Sequence, residues 1–307
     1  MKMAIIGAGA MGTLFGARLA QAGNDVTMID VVPQVIDAIN SRGILLDDSS
    51  GSHIIPAAAR RAEEMETPVE LAILFTKTVF SRSALKAAGT YIDSKTLVLT
   101  LQNGIGNDEI LCEYVDRDRI LIGVTNYPSD LLGPGHVSSH GDGYVRFMTL
   151  NGERTSELEL VERTLKAAGL NASITPDVME AIWEKVAFNA VMNGTTAVCR
   201  LPVKGIAGSE YGISLAKHIA EEAVSVAHAH GVDVPMEKLW SSISDAFAHH
   251  GEHFPSMAQD VMKKRPTEID SIHGGILAKA REKGLSVPFI ETICDLVHIL
   301  QSNYDLV

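Results

Sequence analysis

An apolar run from Met3 to Ile6 breaks at residue 7 into Gly7-Ala8-Gly9-Ala10-Met11-Gly12. Met11, Leu14, Phe15 and Leu19 then recur at helical spacing. A strand that turns on glycines and opens a helix constrains the fold more than any other stretch of this chain. Gly7 permits the tight turn, Gly9 leaves no Cβ where a ligand's phosphates would approach the backbone, and Gly12 lets the helix pack close to the strand. The helix N-terminus adds unpaired N–H groups and a partial positive charge. Small residues at these spacings also pack helix on strand with no ligand at all, so a second signal is needed. It comes from the next apolar run, Val26 to Ile29, which ends in Asp30, 23 positions after Gly7. A carboxylate there can accept hydrogen bonds from the hydroxyls of an adenosine ribose. Gly7, Ala8, Gly9, Ala10, Met11, Gly12 and Asp30 together read as a dinucleotide-binding fingerprint.

Beyond the turn, strand and helix alternate to about residue 175. The strand candidates are Met3–Ile6, Val26–Ile29, Leu71–Phe75, Thr96–Leu101 and Ile120–Val124, with helices such as Pro33–Ser41 and Arg82–Ala88 between them. Alternation of this kind predicts a mostly parallel, doubly wound sheet with helices on both faces and ligands outside the carboxyl ends of the strands. Three strand ends carry polar residues expected on that edge: Thr76-Lys77-Thr78, Gln102-Asn103-Gly104, and Asn126-Tyr127-Pro128-Ser129. Each is also ordinary loop chemistry, Asn-Gly being a common turn. His136–Ser139 and Tyr144–Met148 flank Gly141-Asp142-Gly143 and predict an antiparallel hairpin added to the sheet, with His136 and His140 facing solvent. From Asp177 onward the strand pattern stops. Val178–Met192, Tyr211–His230, Met236–His249, Pro266–Glu282 and Phe289–Asn303 all read as helices. The expected class is α/β: a Rossmann-type domain over residues 1–175 and an all-helical substrate or dimerisation domain over 176–307.

A formal net charge of −12 argues against nucleic-acid and membrane-surface partners, which attract basic patches. No apolar run reaches the ~20 residues needed to span a bilayer. The N-terminus enters the first strand at once, which leaves no room for a signal peptide, and a cytoplasmic protein is expected. Cys112, Cys199 and Cys294 lie far apart, without metal or redox spacing, and are expected to be buried thiols.

The helix that opens the second domain carries Lys185, Asn189 and Asn193 at four-residue spacing, on one face amid Val186, Ala187, Phe188, Ala190 and Val191. Amide and ammonium groups on an apolar helix are costly to bury without partners, and a polar ligand along that face would supply them. The alternative is a solvated face. Further on, Ser256-Met257-Ala258-Gln259-Asp260 precedes Pro266-Thr267-Glu268-Ile269-Asp270, where Pro266 suits a helix start and Glu268 and Asp270 suit its dipole. His249, His250 and His253 have a spacing a metal could use, but no HExxH or cysteine pair supports it, and no metal is expected.

These residues together resemble the ketopantoate reductase (2-dehydropantoate 2-reductase) family. The matching motifs are Gly7–Gly12 at the N-terminus, Lys77 after the third main strand, Asn103-Gly104, Trp183-x-Lys185-x-x-x-Asn189-x-x-x-Asn193, Pro255-Ser256-Met257-x-Gln259-Asp260 and Thr267-Glu268-Ile269-Asp270. The resemblance implies a Rossmann domain and a helical domain with the site in the cleft between them. It implies reduction of a small 2-oxo acid to the D (R)-2-hydroxy acid by NAD or NADP. Carried over by position, Lys185 is the proton donor, Asn189, Asn193 and Ser256 hold the substrate, and Asn103 stands at the cofactor–substrate junction. Lys77, Ser129 and Glu268 join the glycine turn and Asp30 as cofactor contacts. Two positions depart from the family pattern. Asp30-Val31-Val32 stands where NADPH-dependent members carry a basic residue, which leans the chain towards NAD. A further substrate-contacting Asn aligns near Val203, which leans towards relatives that act as NAD-dependent D-2-hydroxyacid dehydrogenases on branched or aromatic 2-oxo acids. A catalytically silent dinucleotide sensor would not need Lys185 or its Asn stripe; an opine-type dehydrogenase is a more distant alternative. Apolar helices in the second domain make a homodimer an expectation.

Overall fold

Strands buried on both faces need cover from helices on both sides, and the N-terminal runs have that character: Met3, Ala4, Ile5 and the whole of Leu71–Leu74 are inaccessible to solvent. The computed structural model describes residues 1–306. By its internal contacts the chain divides into two compact units, one made of Met1–Gln102 and Asn107–Val178, the other of Asn103–Gly106 and the chain from Met179 onward.

The first unit holds β1 (Lys2–Ile6), α1 (Ala10–Gln21), β2 (Asp25–Ile29), α2 (Pro33–Arg42), β3 (Ile44–Asp48), β4 (Gly51–Ile55), β5 (Ala58–Arg60), β6 (Leu71–Leu74), α3 (Ser81–Ala87), β7 (Leu97–Thr100), α4 (Asn107–Cys112), β8 (Ile120–Thr125), β9 (Asp130–Gly133), β10 (His136–Ser139), β11 (Val145–Thr149), α5 (Ser156–Ala167) and β12 (Ala172–Ile174). Eight strands form one sheet in the order β12-β11-β8-β7-β6-β1-β2-β5. Its β8-β7-β6-β1-β2-β5 part is parallel, and β11 joins antiparallel to β8. This is the Rossmann-type sheet, and it brings the ends of β1, β2, β6 and β7 to one edge.

The second sheet, β4-β3-β10-β9, departs from the expected pattern. His136–Ser139 and Val145–Thr149 are not partners in a hairpin: β10 pairs with β3 and β9, β11 pairs with β8, and Gly141-Asp142-Gly143 lies on the crossing from one sheet to the other. His136 does not simply face solvent, since its Nε2 meets Asp47 Oδ2 across that pairing at 2.7 Å. Asp48 at the end of β3 is buried because Arg18 of α1 reaches it at 2.8 Å. Burial opposes its charge, but the Ser50 hydroxyl and amide, Arg18 and His53 outweigh that and hold its carboxyl at about 2.

The second unit is helical: α6 (Val178–Asn189), a wide turn of π type (Ala190–Gly194), α7 (Thr195–Cys199), α8 (Val203–Ala207), α9 (Glu210–Ala229), α10 (Met236–His249), α11 (Ser256–Met262), α12 (Ile269–Glu282) and α13 (Pro288–Ser302). Its core runs through Trp183, Val191, Ile219, Leu239, Ile272, Ile290 and Val297. Ala216, Ala220, Ala223 and Ala227 make α9 a small-residue stripe that its neighbours approach closely. Cys294 is buried; Cys112 and Cys199 are exposed, against expectation, because each is the last residue of a short helix whose buried positions come before it. Among the described residues no helix is long and apolar enough to cross a membrane.

Candidate functional site

In the first unit the glycine turn is fixed by contacts that assign each glycine a reason. Gly7 has φ +97°, and a Cβ on it would stand 2.8 Å from the Thr76 amide nitrogen. A Cβ on Gly12 would stand 1.9 Å from the Gly7 carbonyl oxygen, so α1 packs on the turn only without a side chain there. Gly9 is different. Its φ of −71° suits any residue, and a Cβ on it would meet no atom within 4 Å. The fold does not require that glycine; a ligand approaching the backbone would. Ala10, Met11 and Gly12 follow as the first turn of α1, where amides lack intrahelical acceptors.

Asp30 closes over this turn. Its Oδ2 accepts the Ala8 amide at 2.7 Å, and its Oδ1 accepts the Val31 and Val32 amides at 2.8 and 2.9 Å. Ser129 is brought to the same place, its hydroxyl 2.9 Å from Met11 Sδ. Lys77 precedes the single turn Thr78–Phe80 after β6. Beside it, the Gln102 amide donates to the Thr76 carbonyl at 2.6 Å and to Ser81 Oγ at 2.8 Å, tying the ends of β6 and β7 together. Gln102 was expected on this edge, but nothing local in the sequence marks its amide as a cross-strand tie.

In the second unit Asn103 Nδ2 donates to Glu268 Oε2 at 2.9 Å, across 165 positions of sequence. The approach is close because Gly104, at φ +102°, leaves room where a Cβ would stand 2.3 Å from the Ser271 carbonyl oxygen, and because the Ile105 amide donates to that carbonyl at 2.8 Å. Glu268 is the N-cap of α12, which starts at Ile269 and not at Pro266. The Thr267 amide is drawn out of the helix by Gln301 Oε1 at 2.7 Å. Lys185 is partly buried on α6. Desolvation pushes its ammonium down to about 8, and the negative charge of Glu268 works in the opposite direction. The structure thus gathers Asn103, Lys185 and Glu268 around one ammonium–carboxylate interaction.

Lys185 and Asn189 share the face of α6 as expected, but α6 ends at Asn189 and the wide turn rotates Asn193 off that line. Asn193 is 4% exposed, and its Oδ1 accepts the Met257 amide at 3.0 Å and the Ser256 hydroxyl at 3.3 Å. It therefore holds the start of α11 and places Ser256. Val203 is buried at the start of α8, its amide bonded to the His253 carbonyl at 3.0 Å, with no polar group to offer. His249 pairs with Asp245 at 2.9 Å, and no cluster suited to a metal exists among the described residues.

The family profile described as "Ketopantoate reductase PanE/ApbA" matches residues 3–152, and "Ketopantoate reductase PanE/ApbA C terminal" matches residues 177–301. The chain belongs to the ketopantoate reductase family. It is similar to a 2-dehydropantoate 2-reductase of Streptococcus pyogenes, 31% identical over 299 residues that cover 97% of each chain. A 2-dehydropantoate 2-reductase of Lactococcus lactis is 32% identical over 304 residues, again 97% of each. Among solved structures, the ternary structure of D-mandelate dehydrogenase with NADH and anilino(oxo)acetate superposes with a TM-score of 0.94 at 30% identity, covering 100% of both chains. The chain is accordingly an oxidoreductase that uses a nicotinamide cofactor. Its own residues fit that group: the open space over Gly9, the first-turn amides of α1 and the Asp30 carboxylate suit a pyrophosphate and a ribose.

Proposed function

We propose that the chain reduces a 2-oxo acid of the ketopantoate type to its D (R)-2-hydroxy acid, in the cytoplasm, with NADH preferred over NADPH. The observation that carries this is Lys185: an ammonium lowered to about 8 by desolvation, kept charged by Glu268, in a family of reductases. The nicotinamide, when bound, supplies the hydride to the carbonyl carbon. Charge then develops on the carbonyl oxygen, and Lys185 stabilises it and transfers a proton to it, giving the hydroxyl. A lysine near 8 is mostly protonated at neutral pH and is a stronger acid than an ordinary lysine, so it suits both halves of that task. Glu268 keeps the proton on Lys185 until it is needed, and Asn103 holds the Glu268 carboxylate. Asn189 and the Ser256 hydroxyl bind the substrate's polar oxygens without adding charge, with Asn193 placing Ser256. In the first unit Gly7–Gly12, Asp30, Lys77 and Ser129 hold the cofactor.

A second reading has its own support. Val203 gives no polar contact to a hydroxylated side chain, and the D-mandelate dehydrogenase superposes over the whole chain. Both favour a D-2-hydroxyacid dehydrogenase acting on a branched or aromatic 2-oxo acid. A panel of ketopantoate, 2-oxoisovalerate and benzoylformate, each with NADH and NADPH, separates the two. Ketopantoate turned over best supports the first, benzoylformate or 2-oxoisovalerate the second, and no NADH oxidation with any of them rejects both. Exposed Tyr211 on α9 and Phe289 and Ile299 on α13 support a homodimer, which sedimentation of the purified chain tests.

A further inference from the structure

His273, in the middle of α12, is fully buried, and neither ring nitrogen has a hydrogen-bond partner among the described residues. Its neutral form is forced: burial pushes the imidazole down to about 4. A buried polar group without a partner destabilises a fold, and a Leu of similar bulk at this position would not carry that cost. The ring lies against the wide turn that carries Asn193. A Cβ on Gly194 would stand 2.5 Å from His273 Nε2 and 2.4 Å from Ile293 Cγ2, so only glycine lets the turn and the ring approach this closely. The Ala190 carbonyl, at the start of the turn, faces the ring and favours its protonated form without making a well-formed hydrogen bond to it. The next carbonyls are already satisfied, Val191 by the Thr195 hydroxyl at 3.0 Å and Met192 by the Thr196 hydroxyl at 2.6 Å. Ala190 and His273 thus face each other as a donor and an acceptor that have not closed.

We propose that His273 is a positioning residue for the substrate: its ring N–H bonds the Ala190 carbonyl when the wide turn tightens, and this fixes Asn193 and, through it, Ser256. Wide turns of this type inside helices recur at functional sites. The path is short, from His273 to the turn, from Asn193 Oδ1 to the Met257 amide and the Ser256 hydroxyl. It rests on the reading of Ser256 as a substrate group.

The test is His273→Leu in the full chain, with His273→Gln, which restores a donor, as the conservative partner. His273→Leu is expected to raise the melting temperature, because an unpartnered polar group is removed, and yet to raise KM about tenfold for the better of ketopantoate and benzoylformate, the size of one lost hydrogen bond. NADH affinity should stay unchanged, and His273→Gln should recover most of the KM loss. Hydrogen exchange at the Met257 amide should be faster in His273→Leu. Unchanged KM together with unchanged Met257 exchange makes His273 a plain core residue and overturns the proposal. If the wild-type chain turns over neither 2-oxo acid, the functional reading fails by itself. The exchange measurement then decides the positioning claim: faster exchange keeps it and unchanged exchange ends it.

Discussion

Asp30 Oδ2 accepts the Ala8 amide at 2.7 Å, so the acidic end of β2 and the glycine turn after β1 are one hydrogen-bonded unit. The same carboxylate takes the Val31 and Val32 amides on its other oxygen, and of its roughly four acceptor sites three amides leave about one, on Oδ2, for a ribose hydroxyl. A 2′-phosphate would bring like charge against it, with no basic residue at Val31 or Val32 to relieve the repulsion. Wild-type kcat/KM is expected to favour NADH over NADPH by at least about tenfold, ~1.4 kcal/mol. Asp30→Ala or Val31→Arg should narrow that ratio. Steady-state kinetics with both cofactors checks this, and a wild-type preference for NADPH would reject the role given to Asp30.

The three glycines of the turn should respond differently to alanine. Gly9→Ala puts a methyl into open space; Ala is a poorer N-cap than Gly but also restricts the unfolded chain, so the two effects oppose and stability should change by less than about 1 kcal/mol, while NADH binding weakens at least tenfold. Gly12→Ala drives a methyl against the Gly7 carbonyl and should cost about 1–3 kcal/mol of stability, as overpacking does. Denaturant midpoints and NADH titration on the two variants separate the ligand's need for glycine from the fold's. Equal loss of stability in both would mean that Gly9 is structural.

Glu268 raises the Lys185 ammonium against the desolvation that lowers it. Reduction needs the protonated form. The rate should therefore be flat at neutral pH and fall as pH rises through about 8. Removing the carboxylate takes away the raising influence, so Glu268→Gln should move the falling limb to lower pH. A pH profile of kcat/KM for the two proteins reads this directly; a limb that stays in place would return Glu268 to a helix-capping role on α12.

Burial of neutral His273 links stability to pH. Its folded-state value, about 4, lies below the ordinary histidine value of about 6.5, so the unfolded chain binds the extra proton between them. Stability should be complete above about pH 6.5 and decline as pH falls towards about 4, by on the order of 3 kcal/mol. His273→Leu should remove most of that decline in urea melts at a series of pH values.

What could be read from the sequence is what is encoded locally. The Gly7–Gly12 turn, the strands at Val26–Ile29 and Leu71–Phe75, and the helix Met236–His249 are each set by their own periodicity, and the structure places them as read. The β3–β4 pair was not legible because Asp47 and Asp48 interrupt an apolar run. Local partners, Ser50 and His53 for Asp48 and Ser52 for Asp47, act with Arg18 and His136, far away in sequence, to make those carboxylates acceptable in a sheet. The hairpin expected at Gly141–Gly143 failed for the related reason that turn residues do not say which sheet the chain enters next. In the site, the four-residue spacing of Lys185 and Asn189 was readable, whereas the turn that diverts Asn193 depends on Gly194 meeting His273 and Ile293. The pairing of Asn103 with Glu268 was likewise beyond any local pattern.

The proton-donor role of Lys185 is the centre of the mechanism, and one variant tests it. Lys185→Met keeps the stem and removes the ammonium. Turnover of the best 2-oxo acid with NADH should fall by about 10²–10⁴-fold, since that is the contribution of a positioned proton donor, or ~3–5 kcal/mol of transition-state stabilisation. NADH binding, followed by fluorescence on the same protein, should be nearly unchanged. A turnover loss of less than about threefold, under ~0.7 kcal/mol, in a folded variant would contradict the role outright.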